Sequence, residues 1–474
     1  MKINWIHIAI FLISSAALAQ KSKSKELSLE ESIRTAVANN FDLKNQNFQI
    51  DLVKSRLAQA RKERDPSLSA DFSQAFNLGR NIDPFSNQFV TKPINSANVG
   101  LNASYTLYDG GIIKNTIQLQ ETEKQITETE KQRLELELKR EVSLAYLEVV
   151  LKQQLLRIKE QEKTLTQSQI QRVTEMVRFG NSSSSLLIDL QAQLENDSYA
   201  LISAEGELEL AKRKLLTLMN DNKWQEFTVE EPIVSSKDMK DEEYKAQLRN
   251  LPDLQLRQYE INRSDLNIRI AEASKKPQLY LSGGVFSRYS SQASPRTKFL
   301  DEDPTPTVQT SETEYVLFNG QPYPLNRIIA IPATETVKFG YFNQLVSNSG
   351  FAFSLNMKYP ILDKGQRQAQ LESARVEKLI AQNKYFQTQA SLTNQLKDIV
   401  TYIQNSREAY KQALKAESAQ EKAFEIARLR FEEGLISFTE FDRSKINLEN
   451  ARSNVLRNKL THYFYNLLYE YYAY

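Results

Sequence analysis

Two hydrophobic periods alternate along this 474-residue chain, and the alternation happens twice. The first is a period of two. Leu68, Ala70, Phe72 and Phe76 fall on one side of an extended chain while Ser67, Ser69, Asp71, Ser73 and Asn77 fall on the other, which predicts a strand with one apolar and one polar face. Val99, Leu101, Ala103, Tyr105 and Leu107 against Asn98, Asn102, Ser104 and Thr106 predict a second strand. Phe351, Phe353, Leu355, Met357, Tyr359 and Ile361 against Ser354, Asn356 and Lys358 predict a fourth, and a third, Gln278 to Ser287, alternates more weakly. The second period is helical. From Gly111 to Phe179, and again from Gly365 to Phe431, there is no proline and almost every residue favours helix. Each segment predicts an unbroken helix on the order of 100 Å long. Leu144, Leu147, Leu151, Leu155, Ile158, Leu165, Val173 and Met176 keep three-and-four spacing, interrupted by Glu162 and Gln169, the seam of a coiled coil. A shorter helix, Ser28 to Arg64, opens on Ser28 with Glu31 three residues on as a capping box and closes at Pro66, and another runs from Ser184 to Met219.

The same order of elements recurs because the chain is a repeat. Asp42-Leu43 returns as Asp253-Leu254, Leu57 as Ile268 and Asp65-Pro66-Ser67-Leu68 as Lys276-Pro277-Gln278-Leu279, at one offset of about 211 residues. Tyr105-Thr106-Leu107-Tyr108-Asp109-Gly110-Gly111 returns as Tyr359-Pro360-Ile361-Leu362-Asp363-Lys364-Gly365, and Gly180 as Gly434, at a second offset of about 254. Only the span between the two blocks changes length. Ser73 to Asn98 and the enlarged Ser287 to Ser349, rich in Ser, Thr, Pro and Asn, are both expected to be loops. The two shorter helices of each half are together about as long as the long one, so both can line it. The expected division is residues 1–19, 20–235 and 236–474, the last carrying the loop 287–349. Residues 1–19 read as a secretory signal peptide: Lys2 supplies the charge, Ile6 to Leu18 the apolar run and Ala17-Leu18-Ala19 the cleavage site, so the mature chain is expected to begin at Gln20.

Beyond that segment no run of eighteen apolar residues occurs, so a helix is not expected to cross a bilayer. Strands that cross must close into a barrel, because open edges cannot sit in lipid, and four strands per chain are too few. Three chains of four strands make twelve, the simplest even solution. The fold class expected is mainly α, with long coiled-coil hairpins in two tandem repeats and four amphipathic strands per chain, and a trimer forming a 12-stranded barrel plus a helical tunnel.

Composition narrows the chemistry. The chain has no cysteine, which removes disulfides and thiolate sites, and its 61 basic and 59 acidic residues nearly cancel, which argues against a nucleic-acid partner. His7 and His462 are the only histidines. No Gly-rich phosphate loop, His-Glu-x-x-His helix or Gly-x-Ser-x-Gly elbow appears. No catalytic, cofactor-binding or metal residue is therefore assigned, and the expectation is a protein that is not an enzyme. Asp109 and Asp363, before glycines at the start of the long helices, read as caps. Gly180 and Gly434 read as helix ends that a side chain would hinder.

In the order and spacing of these features the sequence resembles the TolC family of outer-membrane efflux proteins, from Leu29 to about Tyr469. The carriers are the tandem halves, the helix-to-strand prolines Pro66 and Pro277, the strand-to-helix junctions ending in Gly111 and Gly365, and the breaks Arg178-Phe179-Gly180 and Phe431-Glu432-Glu433-Gly434-Leu435-Ile436-Ser437. The resemblance implies a homotrimer in the lipid of the cell outer membrane, with its tunnel in the periplasm. It implies a periplasmic adaptor (membrane fusion protein) docking at Gly180, Gly434, Leu435 and Ser437, and an inner-membrane pump of RND or ABC type that drives efflux or type I secretion. It places a gate of acids beyond the second glycine. Here those residues are Glu440 and Asp442, with Arg443 where a further acid is expected; Glu440 and Asp442 read equally well as acids that favour a helix start, and Asp189 is the first-half counterpart. Two other readings stay open: a soluble periplasmic coiled-coil scaffold, and a trimeric surface adhesin that uses the loop 287–349.

Overall fold

The computed structural model describes residues 25–83, 87–221, 227–232, 248–293, 295–300 and 305–473, and the expected signal peptide lies outside them. In chain order the elements are β1 Lys25–Leu27, α1 Leu29–Asn39, α2 Phe41–Lys62, β2 Ser67–Asn77, β3 Asn81–Ile82, β4 Phe89–Val90, β5 Ile94–Tyr108, α3 Ile112–Arg178, α4 Ser184–Met219 and β6 Phe227–Val229. A 3₁₀ turn at Leu248–Asn250 leads to α5 Pro252–Ala273, β7 Gln278–Ser290, β8 Arg296–Phe299, β9 Thr305–Phe318, β10 Gln321–Ile331, β11 Thr334–Val337, α6 Tyr341–Ser347, β12 Gly350–Lys358, α7 Gln366–Glu432 and α8 Phe438–Ala473. The chain divides into two compact units, one of residues 1–57, 118–267 and 372–474 and one of 58–117 and 268–371.

The second of these is built on a four-stranded antiparallel sheet in the order β12-β7-β5-β2. Its register aligns like with like. Phe351, Val285, Leu101 and Ala70 form one rung, and Phe353, Gly283, Ala103 and Leu68 the next on the same face. The opposite face carries a rung of four serines, Ser354, Ser282, Ser104 and Ser67. Side chains on that polar face bond one another: Ser67 and Ser104 hydroxyls lie 2.6 Å apart, those of Ser282 and Ser354 2.7 Å, and Asn102 donates to Asp71. Among the described residues the apolar face is largely uncovered, with Phe72 65% exposed, Phe353 71% and Phe351 85%; only toward Tyr289 does it meet α6, where Tyr289 packs on Tyr341 at 4.4 Å.

The helical unit buries two small cores at matching places. In one, Leu43, Leu138, Val142, Ala145, Val149 and Leu215 pack together; in the other, Leu254, Leu392, Leu396, Ile399, Ile403 and Tyr469 do so. Leu43 and Leu254 stand 211 residues apart, and the other five pairs 254 apart. The first core is pinned by β1 and β6, which pair in parallel, and by the buried Tyr146, whose hydroxyl bonds Leu27 O at 2.9 Å and Glu230 O at 2.8 Å. Burial raises the Tyr146 hydroxyl well above the usual tyrosine value. The aromatic end of α8 packs inward: Tyr465 stacks on Tyr402 at 4.7 Å and Tyr471 bonds Ser143 at 2.8 Å.

Four sequence expectations need correction. The expected loop Ser73 to Asn98 belongs at its two ends to the paired strands β2 and β5 and carries the short pair β3–β4 between them. The first helix is not continuous from Ser28 to Arg64. Asn40 ends α1, and its side chain accepts from Leu43 N–H at 2.9 Å to start α2, while Asn39 and Asn220 exchange amide bonds with the ends of α4 and α1. The enlarged loop 287–349 is largely ordered into strands, with β9 and β10 forming a hairpin about Asn319-Gly320, both at positive φ, the turn that matches strand twist. The fourth strand stops at Lys358, since Pro360 cannot extend the ladder.

The two strand-to-helix junctions share one backbone. Pro66 and Pro277 each stand immediately before a strand, at β2 and β7. Asp109 accepts from Gly111 N–H at 2.8 Å and from Ile113 N–H; Asp363 accepts from Gly365 N–H at 3.1 Å and Arg367 N–H at 3.1 Å. Gly110 and Gly111 have φ +75° and +100°, Lys364 and Gly365 +56° and +80°. A Cβ on Gly110 would lie 2.6 Å from the Ala273 carbonyl oxygen, whereas one on Gly365 would meet open space. Gly110→Ala is therefore expected to cost roughly 1–3 kcal/mol more than Gly365→Ala, since both share the left-handed penalty. Chemical unfolding followed by circular dichroism measures it, and equal losses would refute the packing argument.

Candidate functional site

Both long helices end in the same way. At the end of α3, Gly180 N–H donates to Val177 O at 3.0 Å and Asn181 N–H to Met176 O at 2.7 Å; at the end of α7, Gly434 N–H donates to Phe431 O at 3.0 Å and Leu435 N–H to Arg430 O at 2.8 Å. This is the Schellman closure, which requires a left-handed residue, and both glycines sit at φ +74°. The next helices start alike. Ser183 accepts from Leu186 N–H at 3.3 Å and Ser437 from Glu440 N–H at 3.3 Å. Sequence reasoning named Ser437 and missed Ser183, although Ser183 lies 254 residues before it.

Between these ends lies a cavity of about 380 Å³ lined by Leu165, Val173, Met176, Phe431, Ile436 and Phe438. Phe431 stacks on the buried Phe441 with centroids 4.8 Å apart, and Phe424 packs on Phe441 at 5.7 Å. Arg172 bridges to Glu432 at 2.8 Å across the two helix ends. Phe179 and Leu435 remain exposed beside the glycines. The ends are thus rigidly closed and still present apolar side chains to solvent.

The residues expected to gate a tunnel separate by burial. Glu440, in the first turn of α8, and Arg443, one turn on, are exposed; Asp442 is half-buried and turns toward Lys445. Asp189 is exposed on α4. Along the same stretch of α8 runs a charge network that the sequence did not reveal as such. The buried Lys445 ammonium lies 3.2 Å from Asp197 and 3.1 Å from Thr166, Thr166 donates to Asp197 at 2.6 Å, and Gln193 to its other oxygen at 2.8 Å. Lys159 bridges Glu162 at 2.8 Å and Glu449 at 3.2 Å. Two lysines here face four carboxyls, Glu162, Asp197, Asp442 and Glu449, on three helices. Full ionisation would leave a buried surplus of negative charge. Burial, then the hydrogen bond with Glu449, pushes Glu162 up to about 8 against the pull of Lys159; burial raises Asp442 also, against Lys445 and with Asp197 and Glu449.

His462 is buried, its Nδ1 3.1 Å from the Ser406 hydroxyl, and burial lowers its pKa. Among the described residues no cluster of His, Cys, Asp and Glu is placed to hold a metal ion, and no helix is long and apolar enough to cross a membrane.

The chain matches the family described as "Outer membrane efflux protein" over residues 32–221 and 244–462. A comparison with curated protein sequences returns no match. Among solved structures it is similar to CusC, with TM-score 0.74 and 16% identity over 96% of this chain and 95% of that one. It is similar to VceC of Vibrio cholerae, with TM-score 0.71 and 15% identity over 94% and 95%. The CmeC outer membrane channel of Campylobacter jejuni gives TM-score 0.73 and 15% identity over 94% of this chain and 85% of its own. These likenesses at low identity concern the fold.

The raised Glu162 gives a test with a definite sign. The folded chain binds the proton more tightly than the unfolded one, so stability falls as pH rises from the ordinary glutamate value of 4.5 through about 8. The melting temperature by circular dichroism is expected to drop between these limits, and Glu162→Gln to flatten the drop. An unchanged slope in the variant would exclude this carboxyl as its source.

Proposed function

The chain belongs to the outer membrane efflux protein family, and on that premise we propose that three copies close its sheet into a twelve-stranded barrel and present Gly180 and Gly434 to an adaptor. Members of the family are outer-membrane channels rather than enzymes; they work as homotrimers with periplasmic adaptors and inner-membrane pumps, their helical tunnel lying in the periplasm. The observation that carries the barrel is the sheet itself. Among the described residues β12 and β2 are the edge strands, one face is apolar and largely exposed, and polar side chains on the other face bond one another. A water-filled lumen needs the polar face inward and a bilayer needs the apolar face outward.

The exposed Leu435 and the Ser437-capped start of α8 support docking at the helix ends, because a backbone held by glycine and capped by serine offers a fixed surface. Glu440 and Arg443, exposed one turn apart, are the residues we assign to the tunnel constriction; Asp442, turned inward, belongs with the Lys445 network. Pro66, Asp109, Gly111, Pro277, Asp363 and Gly365 are assigned to shaping the junctions. The halves 20–235 and 236–474, with the hairpin-bearing segment 287–349 outside the cell, follow the two sequence offsets. The pump is of RND or ABC type and sets the cargo. Family membership favours this reading over a soluble scaffold or an adhesin.

Purified protein in a planar bilayer is expected to give stepwise single-channel currents; a folded trimer that never conducts would overturn the channel. Leu435→Asp is expected to weaken capture of the cognate adaptor by about tenfold or more, the cost of burying an unpaired charge, with the trimer intact on native electrophoresis. Undiminished capture would place the dock elsewhere.

A further inference from the structure

The polar face of the sheet has one exception. Beyond the serine rung toward Ser290, the residues of that face are Ser69, Asp71, Ser73 and Ala75 on β2, Asn102, Gly100, Asn98 and Ser96 on β5, Gly284, Phe286 and Arg288 on β7, and Ala352 and Gly350 on β12. Phe286 is the one large apolar side chain exposed there among the described residues, at 42%; Ile94, at the far end of the face, is buried. Its neighbours across the ladder are glycine on both sides, Gly350 on β12 and Gly100 on β5. A Cβ on Gly350 would lie 2.9 Å from the ring, so the ring lies over bare backbone. Arg288, next on the same face, holds its guanidinium 6.0 Å from the ring centroid. The nearest acid along that rung, Asp71, is bonded by Asn102.

Lying over glycine backbone covers one face of the Phe286 ring and leaves the other open to the solvent above the sheet. It does so on a stretch otherwise of small and polar residues, and glycine in a strand leaves room for close approach by a ligand or another backbone. Exposed aromatic surface is stabilised by any apolar body that covers it, and the guanidinium beside it attracts negative charge. We propose that Phe286 and Arg288 form a cargo contact on the channel wall, one per protomer, which takes the aromatic part of an anionic amphiphile on Phe286 and its charge on Arg288. This rests on the barrel reading above, which makes the polar face the lumen.

The test is single-channel recording of the full-length protein with naphthalenesulfonate, and separately butanesulfonate, in the bath. Wild-type channels are expected to show longer blocking events with the aromatic anion than with the aliphatic one. In Phe286→Ser and Phe286→Leu channels the aromatic events are expected to shorten roughly three- to tenfold, the range for one aromatic contact, and Phe286→Tyr to restore them. Leucine still covers the glycines, so wild-type dwell times in Phe286→Leu would reduce Phe286 to a structural cover and overturn the proposal. Conducting wild-type channels that block equally with both anions would overturn it as well. Absence of any wild-type current would overturn the channel reading, and this inference with it.

Discussion

The free edges of the four-stranded sheet set the terms for the rest of the molecule. β2 and β12 each present a row of backbone N–H and C=O groups with one side unpaired in the sheet. Water would satisfy them, but in hydrocarbon each unpaired group costs several kcal/mol. On the barrel reading proposed above, the missing ladders are supplied by other copies of the chain. That arrangement explains why the strands alternate so strictly: Phe351, Phe353, Leu355 and Met357 can all face lipid only if register never slips by one. It also explains why the helices are polar. No described helix is long and apolar enough to cross a membrane.

In the helical unit the problem is alignment rather than solvation. Long helices that bury small side chains along a narrow seam can slide, because one apolar layer resembles the next. The buried Lys445 can meet Asp197 and Thr166 together in one register of α3, α4 and α8. Such a pair contributes little net stability, since desolvation offsets much of the attraction; its effect here is to fix which layers face each other. Glu162 does the same less comfortably, with Lys159 shared between it and Glu449.

What the sequence made legible follows from range. Helix limits at Gly111 to Phe179 and Ser184 to Met219 lie within one residue of α3 and α4, because proline-free helix formers and αL glycines act locally. The break at Asn40 was hidden: helix formers surround it, and the bonds that hold the ends of α1 and α4 together join residues 180 and 181 positions apart. β9 and β10 were hidden by Pro306, Pro322 and Pro324 amid Ser and Thr, although Asn319-Gly320 marked the turn. At the helix ends the glycines were visible and Ser183 was recoverable from the repeat. Glu162 was visible as a gap in the seam; its partner, Glu449, was not, because nothing local relates residues on different helices.

The two junctions show how a repeat records its surroundings. Both demand two successive residues at positive φ, so the backbone is common to the halves. At Gly110 the Ala273 carbonyl fills the space a Cβ needs, and only glycine fits; the second junction carries lysine at the equivalent position, with φ +56°. The left-handed penalty is modest and can be borne alone, whereas it cannot be added to a backbone clash. Divergence in the cores follows the same rule. Val142 and Leu215 of one half stand opposite Leu396 and Tyr469 of the other, larger side chains in a core that lacks the counterpart of Tyr146 and the β1–β6 pair among the described residues. Dihedral angles preserve the repeated fold, and side-chain volume preserves what each copy packs against.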